Sequence, residues 1–159
     1  MNFQWLAPDL GPLTLARPPH GVVAPGLART RSRPAEQIAP LVLVVEDDPS
    51  LQEAMRRHLA GKRLEVATAL DYQAALKWLA SHTPALACID LCLPTESGYE
   101  LCEHFRRTPA LSRVPILVTS ERGFAEDMAN AEEAGANAFL RKPFAMRLLA
   151  ETVEELLER

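Results

Sequence analysis

From Leu41 onward, short apolar runs alternate with stretches whose apolar positions recur every three or four residues, and the alternation repeats five times. Residues 41–45, 85–89 and 114–118 read as strands buried on both faces, and the last continues into Thr119 and Ser120. Residues 64–69 alternate apolar and polar as an edge strand does, and residues 136–142 form a fifth strand that finishes at Lys142. Between the strands, Leu51, Ala54, Met55, His58 and Leu59 keep the spacing of an amphipathic helix, with Asp48 or Ser50 as its cap. Tyr72, Ala75, Leu76 and Leu79 mark a second helix capped by Asp71, and Leu101, Cys102 and Phe105 a third that follows Gly98. A fourth helix over residues 125–133 is stopped by Ala134 and Gly135. Leu148, Leu149, Val153, Leu156 and Leu157 share one face of the last.

Five strand–helix units with short connections and right-handed crossovers predict an α/β fold, a doubly wound five-stranded parallel sheet. An edge-type second strand fits the order 2-1-3-4-5, in which the first and third strands flank the point where ligands bind. The first strand runs into Glu46, Asp47 and Asp48, and the third ends at Asp90. Topology therefore predicts that these carboxylates meet at one edge of the sheet. Like charges at that range raise one another's pKa unless a cation intervenes, and a few carboxylates with room for water and a phosphate suit Mg²⁺.

An acidic pair, a lone Asp, a Thr and a Lys, each at the end of an apolar strand, make a phosphoryl-transfer site. The pattern resembles the receiver domain of two-component response regulators, with its flavodoxin-like fold, over residues 41–159. Five positions agree in type, order and spacing, including D-x-x-x-P-x-x-x-G from Asp90 through Pro94 to Gly98. The resemblance implies that Asp90 is the phosphoacceptor, since a carboxylate can attack phosphorus once the charge on the equatorial oxygens is neutralised. It implies that Glu46 and Asp47 hold Mg²⁺, with Asp47 the direct ligand beside Asp90 and the backbone carbonyl of Cys92, while Asp48 reads as the cap of the first helix. Thr119 and Lys142 are expected to contact phosphoryl oxygens, Lys142 as a compact point charge. Thr119 and Phe139 are the expected switch pair, although Phe139 reads equally as an ordinary core aromatic. Expected partners are a histidine kinase or phosphotransfer protein as donor, and a downstream protein on the face of the fourth helix, fifth strand and fifth helix. The expected activity is limited to phosphorylation of its own Asp90 and slow hydrolysis of the product. Two departures bear on that lifetime: Cys92, two residues after Asp90, and Glu121, two after Thr119.

Charge divides the chain. Residues 41–159 carry 19 acidic and 13 basic side chains, net −6, which argues against nucleic acid as a direct partner. Residues 1–40 carry two acidic and four basic side chains, with seven of the 13 prolines and no helical or strand period, and read as a disordered extension before the receiver domain. No membrane span or signal peptide is legible, so a cytoplasmic location is expected. Three cysteines without metal-ligand spacing are expected to be reduced. The chain reads as a stand-alone receiver. Its alternatives are a piece of a longer regulator with an output domain, and a pseudo-receiver that binds partners without being phosphorylated. A phosphatase of the haloacid dehalogenase type would place D-x-D after its first strand, whereas here the residue two after Asp90 is Cys92 and the nucleophile follows the third strand.

Overall fold

Side chains on successive strand residues point to opposite faces of a sheet, so strands that are apolar throughout need cover on both sides. The computed structural model, which describes residues 38–159, meets that requirement with helices on both faces. Five strand–helix units run in order: β1 (Leu41–Val45), α1 (Pro49–Ala60), β2 (Glu65–Ala69), α2 (Tyr72–Leu79), β3 (Leu86–Asp90), α3 (Gly98–Arg107), β4 (Ile116–Ser120), α4 (Ala125–Glu133), β5 (Ala138–Arg141) and α5 (Met146–Glu158). All strand pairs are parallel, in the order β2-β1-β3-β4-β5. The expected topology is the observed one. The reading of residues 1–40 as a disordered extension falls almost wholly outside the described residues.

Strand residues divide the core in two. Leu43, Val45, Ala87, Ile89, Ile116 and Val118 meet Ala75 of α2, Leu101 and Phe105 of α3 and Ala131 of α4. Val42, Val44, Leu86, Cys88, Leu117 and Leu140 meet Met55 and Leu59 of α1 and Leu149, Val153 and Leu156 of α5. A fully buried Leu, Ile or Phe contributes about 1.5–3 kcal/mol, so these two apolar layers hold the sheet between its helices.

Local signals set most boundaries. Asp48 caps α1, accepting from the amides of Ser50 (2.8 Å) and Leu51 (3.2 Å), with Pro49 at the first helical position. Asp71 caps α2 through the amide of Ala74 at 2.7 Å. Past the end of α4, Gly135 takes φ +101°, the left-handed conformation that releases a chain from a helix. Arg106 ties the far end of α3 to the loops before β4 and β5, donating to the carbonyls of Ser112, Val114 and Gly135 and to Asn137 Oδ1.

Three expectations are corrected. β4 begins at Ile116 rather than at residue 114, because Pro115 has no N–H to give and contributes only its carbonyl, to Ala87 N at 3.0 Å; Thr119 and Ser120 then lie within the strand. β5 stops at Arg141, and Lys142 extends it by a single bond, its amide donating to Ser120 O at 2.8 Å before the cis Lys142–Pro143 peptide. On α5 the buried stripe is Leu149, Ala150, Thr152, Val153 and Leu156, while Leu148 is exposed. One helical step of 100° carries Leu148 out of the seam, and Thr152 fits inside it because its hydroxyl is satisfied by Leu148 O at 2.8 Å.

Cys88 and Cys102 lie inside the core, where burial pushes each thiol up to about 12, whereas Cys92 is exposed. At pH 8 such a buried thiol is thiolate in only about one molecule in ten thousand. A disulfide-exchange reagent added to the native protein should therefore titrate one thiol quickly, at Cys92, and all three only after denaturation. Rapid loss of all three thiols in the native state would mean that the core opens far more readily than its packing implies.

Candidate functional site

Two strand ends carry the acidic groups. Beyond Val45 the amide of Glu46 still donates to Ala69 O at 3.1 Å, so Glu46 continues the line of β1 and its carboxylate is buried at 1% exposure. Asp47 follows with its side chain exposed, and Asp90 closes β3 at 2% exposure. Carboxylate oxygens of Glu46, Asp47 and Asp90 lie within 4.8 Å of one another. The sheet order has therefore gathered the three residues that the sequence pointed to.

Lys142 enters from the end of β5, two strands beyond β3. Its ammonium donates to Asp90 Oδ2 at 2.9 Å and pairs with Glu46 Oε2 at 2.8 Å. Beyond this ion pair the buried Glu46 Oε2 has no further partner among the described residues. Burial pushes the Glu46 carboxyl above its ordinary range and Asp90 adds to the rise, while Lys142 pulls the other way. Burial would by itself lower Lys142, but its contacts with Glu46 and Asp90 more than offset this and its pKa is raised. A raised carboxyl stabilises the fold only below its ordinary pKa, and that contribution is lost as pH rises through the raised value.

Three carboxylates and one ammonium leave the cluster at a formal −2. A hard dication would neutralise it, and the clustered Glu46, Asp47 and Asp90 carboxylates offer it oxygen ligands. These residues fit Mg²⁺.

Thr119 is buried and stands opposite Asp90 in the β3–β4 register, with its carbonyl accepting from Leu91 N at 3.0 Å. Cys92 is held beside the site by its own amide, which donates to Asp90 Oδ1 at 3.2 Å. Phe139 lies on β5 opposite Val118, half-buried against the core layer formed with α2, α3 and α4. Every candidate residue of the sequence reading except Phe139 thus converges on the carboxyl edge of β1, β3, β4 and β5; Phe139 sits one layer below. Gln52 was not legible as part of the site. Its side-chain amide donates to Glu46 O at 3.0 Å and to Ala69 O at 2.9 Å, yet in the sequence it is one more polar residue on an amphipathic helix.

Gly98 explains the last letter of the D-x-x-x-P-x-x-x-G pattern. A Cβ built there would lie 2.1 Å from the carbonyl oxygen of Asp90 and 2.8 Å from Leu91 Cα, both backbone atoms with no freedom to yield. The start of α3 is pressed directly onto the backbone of the phosphoacceptor candidate.

A doubly wound sheet with a carboxylate cluster, a hydroxyl and a lysine at the crevice of its strand order is the arrangement expected of a receiver domain. The chain belongs to the response regulator receiver domain family, whose model matches residues 42–154. Response regulator MprA of Mycolicibacterium vanbaalenii is 35% identical over 118 residues, which cover 74% of this chain and 50% of that protein. MprA of Mycobacterium avium is likewise 35% identical, over 51% of its length, so the chain spans about half the length of the curated relatives it matches. Among solved structures, a putative response regulator from Chloroflexus aurantiacus superposes with a TM-score of 0.73 at 32% identity, covering 76% of this chain and 99% of that one. The receiver domain of a signal transduction histidine kinase from Syntrophus aciditrophicus gives 0.70 at 28% identity, with 76% and 91% covered. Residues 42–154 are thus a receiver domain of the two-component type. Among the described residues no helix is long and apolar enough to cross a membrane.

Replacing Gly98 by Ala should destabilise the domain by about 2–3 kcal/mol, because backbone must move to admit the methyl group. Urea unfolding of the two proteins measures this. An unchanged midpoint would mean that α3 has freedom to retreat from Asp90.

Proposed function

We propose that Asp90 accepts a phosphoryl group from a phosphohistidine on a kinase or phosphotransfer protein, and that the product switches what the domain binds. The observation that carries this reading is the buried Asp90 carboxylate held at 2.9 Å by Lys142, next to a carboxylate pair and opposite a buried threonine. A nucleophilic carboxylate must meet phosphorus with the charge of three oxygens neutralised. Mg²⁺ held by Glu46, Asp47 and Asp90, with the Cys92 carbonyl, would supply part of that neutralisation. Lys142 supplies another part, and the Thr119 hydroxyl can donate to a phosphoryl oxygen across the register from Asp90. The domain then acts catalytically only on itself, forming and slowly hydrolysing its own acyl phosphate.

Modification draws Thr119 and Lys142 toward the new oxygens and so alters the contacts around β4 and β5. Phe139 can follow into the space vacated by Thr119, reshaping the face of α4, β5 and α5. Two end states of similar energy suffice for this, with the phosphoryl group biasing their populations. The output goes to a downstream partner protein from the cytoplasm, with no direct contact to nucleic acid. A second reading is favoured by the matched relatives, whose length is about twice the matched span. In a regulator of that length the same face would act on an attached output domain.

With Mg²⁺ and beryllofluoride, the wild-type amide spectrum should shift around Asp90, Thr119 and Phe139, and Asp90→Asn should stay silent. A wild type that does not respond would leave the pseudo-receiver as the better account. Mg²⁺ at ten to a hundred times its Kd should also add about 1–3 kcal/mol to stability, and Asp47→Ala should lose most of that gain while remaining folded. An equal Mg²⁺-dependent melting shift in Asp47→Ala would remove Asp47 from the ligands.

A further inference from the structure

The acidic pair depends on a peptide that the strand ladder no longer controls. β1 pairs with β2 as far as Val45 opposite Ala69, and the amide of Glu46 adds one more bond to Ala69 O. Beyond that point the carbonyl of Glu46 has no strand partner to donate to it. Gln52, half-buried in the first turns of α1, fills the gap: one side-chain nitrogen donates to Glu46 O at 3.0 Å and to Ala69 O at 2.9 Å. Both partners are carbonyl oxygens, so only the NH₂ end of the amide can face them, and both of its protons are used.

The peptide from Glu46 to Asp47 is planar, so fixing its oxygen fixes the direction in which the chain enters Asp47. The Glu46 carboxylate is also held by its neighbours, through the Lys142 ion pair and the Asp48 amide at 3.3 Å from Oε1. Asp47 has no such restraint. Among the described residues its exposed carboxylate meets no hydrogen-bond donor or ion-pair partner, so the backbone that directs its Cα–Cβ bond is its one restraint. The group that orients that backbone lies five residues on, in a helix that otherwise packs against the sheet.

We propose that Gln52 is the positioning residue of the acidic pair, holding the Glu46–Asp47 peptide so that both carboxylates present oxygens to one cation. The inference rests on the proposed Mg²⁺ site and goes beyond it by placing part of the cation affinity in a side chain that is not a ligand. A hydrogen bond from an outlying group to a ligand's own framework commonly governs affinity in metal sites. A purely structural Gln52, tying α1 to β2 through Ala69, would instead govern stability and leave affinity alone.

The two roles separate in a Mg²⁺ titration followed by amide NMR, run beside urea unfolding without metal. Gln52→Met keeps length and helix preference but removes both donors, and should weaken Mg²⁺ binding about five- to tenfold. Val66→Ala, a truncation on β2 away from the acidic loop, serves as the control; it should lower stability and leave the Mg²⁺ affinity within a factor of two. An unchanged affinity in Gln52→Met overturns the inference, and so does an equal weakening in Val66→Ala, which would mean that general loosening is the cause. Absence of saturable Mg²⁺ binding by the wild type would instead overturn the cation site, and the role of Gln52 with it. Should Gln52→Met fail to fold, the wild type still decides. Its Gln52 side-chain amide resonances should move with the same Mg²⁺ midpoint as the Asp47 amide, and their silence would overturn the positioning role.

Discussion

Two carboxylates buried at the end of a hydrophobic sheet would repel one another, and Lys142 is what allows them to stay. Its ammonium lies 2.8 Å from Glu46 and 2.9 Å from Asp90, joining the end of β5 to the ends of β1 and β3. Such a contact is weak evidence for stability, because burying the three groups costs about as much as their attraction returns. Its consequence is positional. The one cation of the cluster is shared by two anions, and the third carboxylate, Asp47, is left facing solvent with the cluster still at −2. That surplus of negative charge suits a dication.

Around that centre, most of the structure serves to hold strand ends in register. The two apolar layers lock five strands into an order whose middle three end beside the site, and Gly98 lets α3 begin in contact with the Asp90 backbone. At the opposite edge, Arg106 satisfies four backbone and side-chain acceptors at once and anchors the entries to β4 and β5. Burial lowers its pKa, yet a guanidinium keeps its charge, which suits it to a fixed structural tie. The edge that carries the charge imbalance is thus backed by an edge that has little freedom to move.

The fold and the meeting of five candidate residues at one edge were legible in the sequence because each left a local signature. Continuous apolar runs marked strands covered on both sides, Asp48 and Asp71 stood where helix caps are needed, and an edge-type β2 fixed the strand order. Given that order, Glu46, Asp47, Asp90, Thr119 and Lys142 had to share one edge, since parallel strands all present their carboxyl ends together. The sequence also assigned Asp48 to helix capping rather than to the acidic cluster, and its bonds to Ser50 and Leu51 agree.

Only the tertiary structure decided what depends on distance. Whether Lys142 met one carboxylate or two, which acid was buried, and that Leu148 falls outside the α5 seam while Thr152 falls within it are set by packing between elements far apart in the chain. Periodicity resolves a helix face to about one residue in either direction, and that margin separates Leu148 from Leu149. Gln52 lies beyond any pattern: its role comes from two carbonyl oxygens at the ends of β1 and β2, of which that of Glu46 has no strand donor. A side chain that satisfies backbone groups leaves no trace in the spacing of residues, because the backbone it serves is the same at every position.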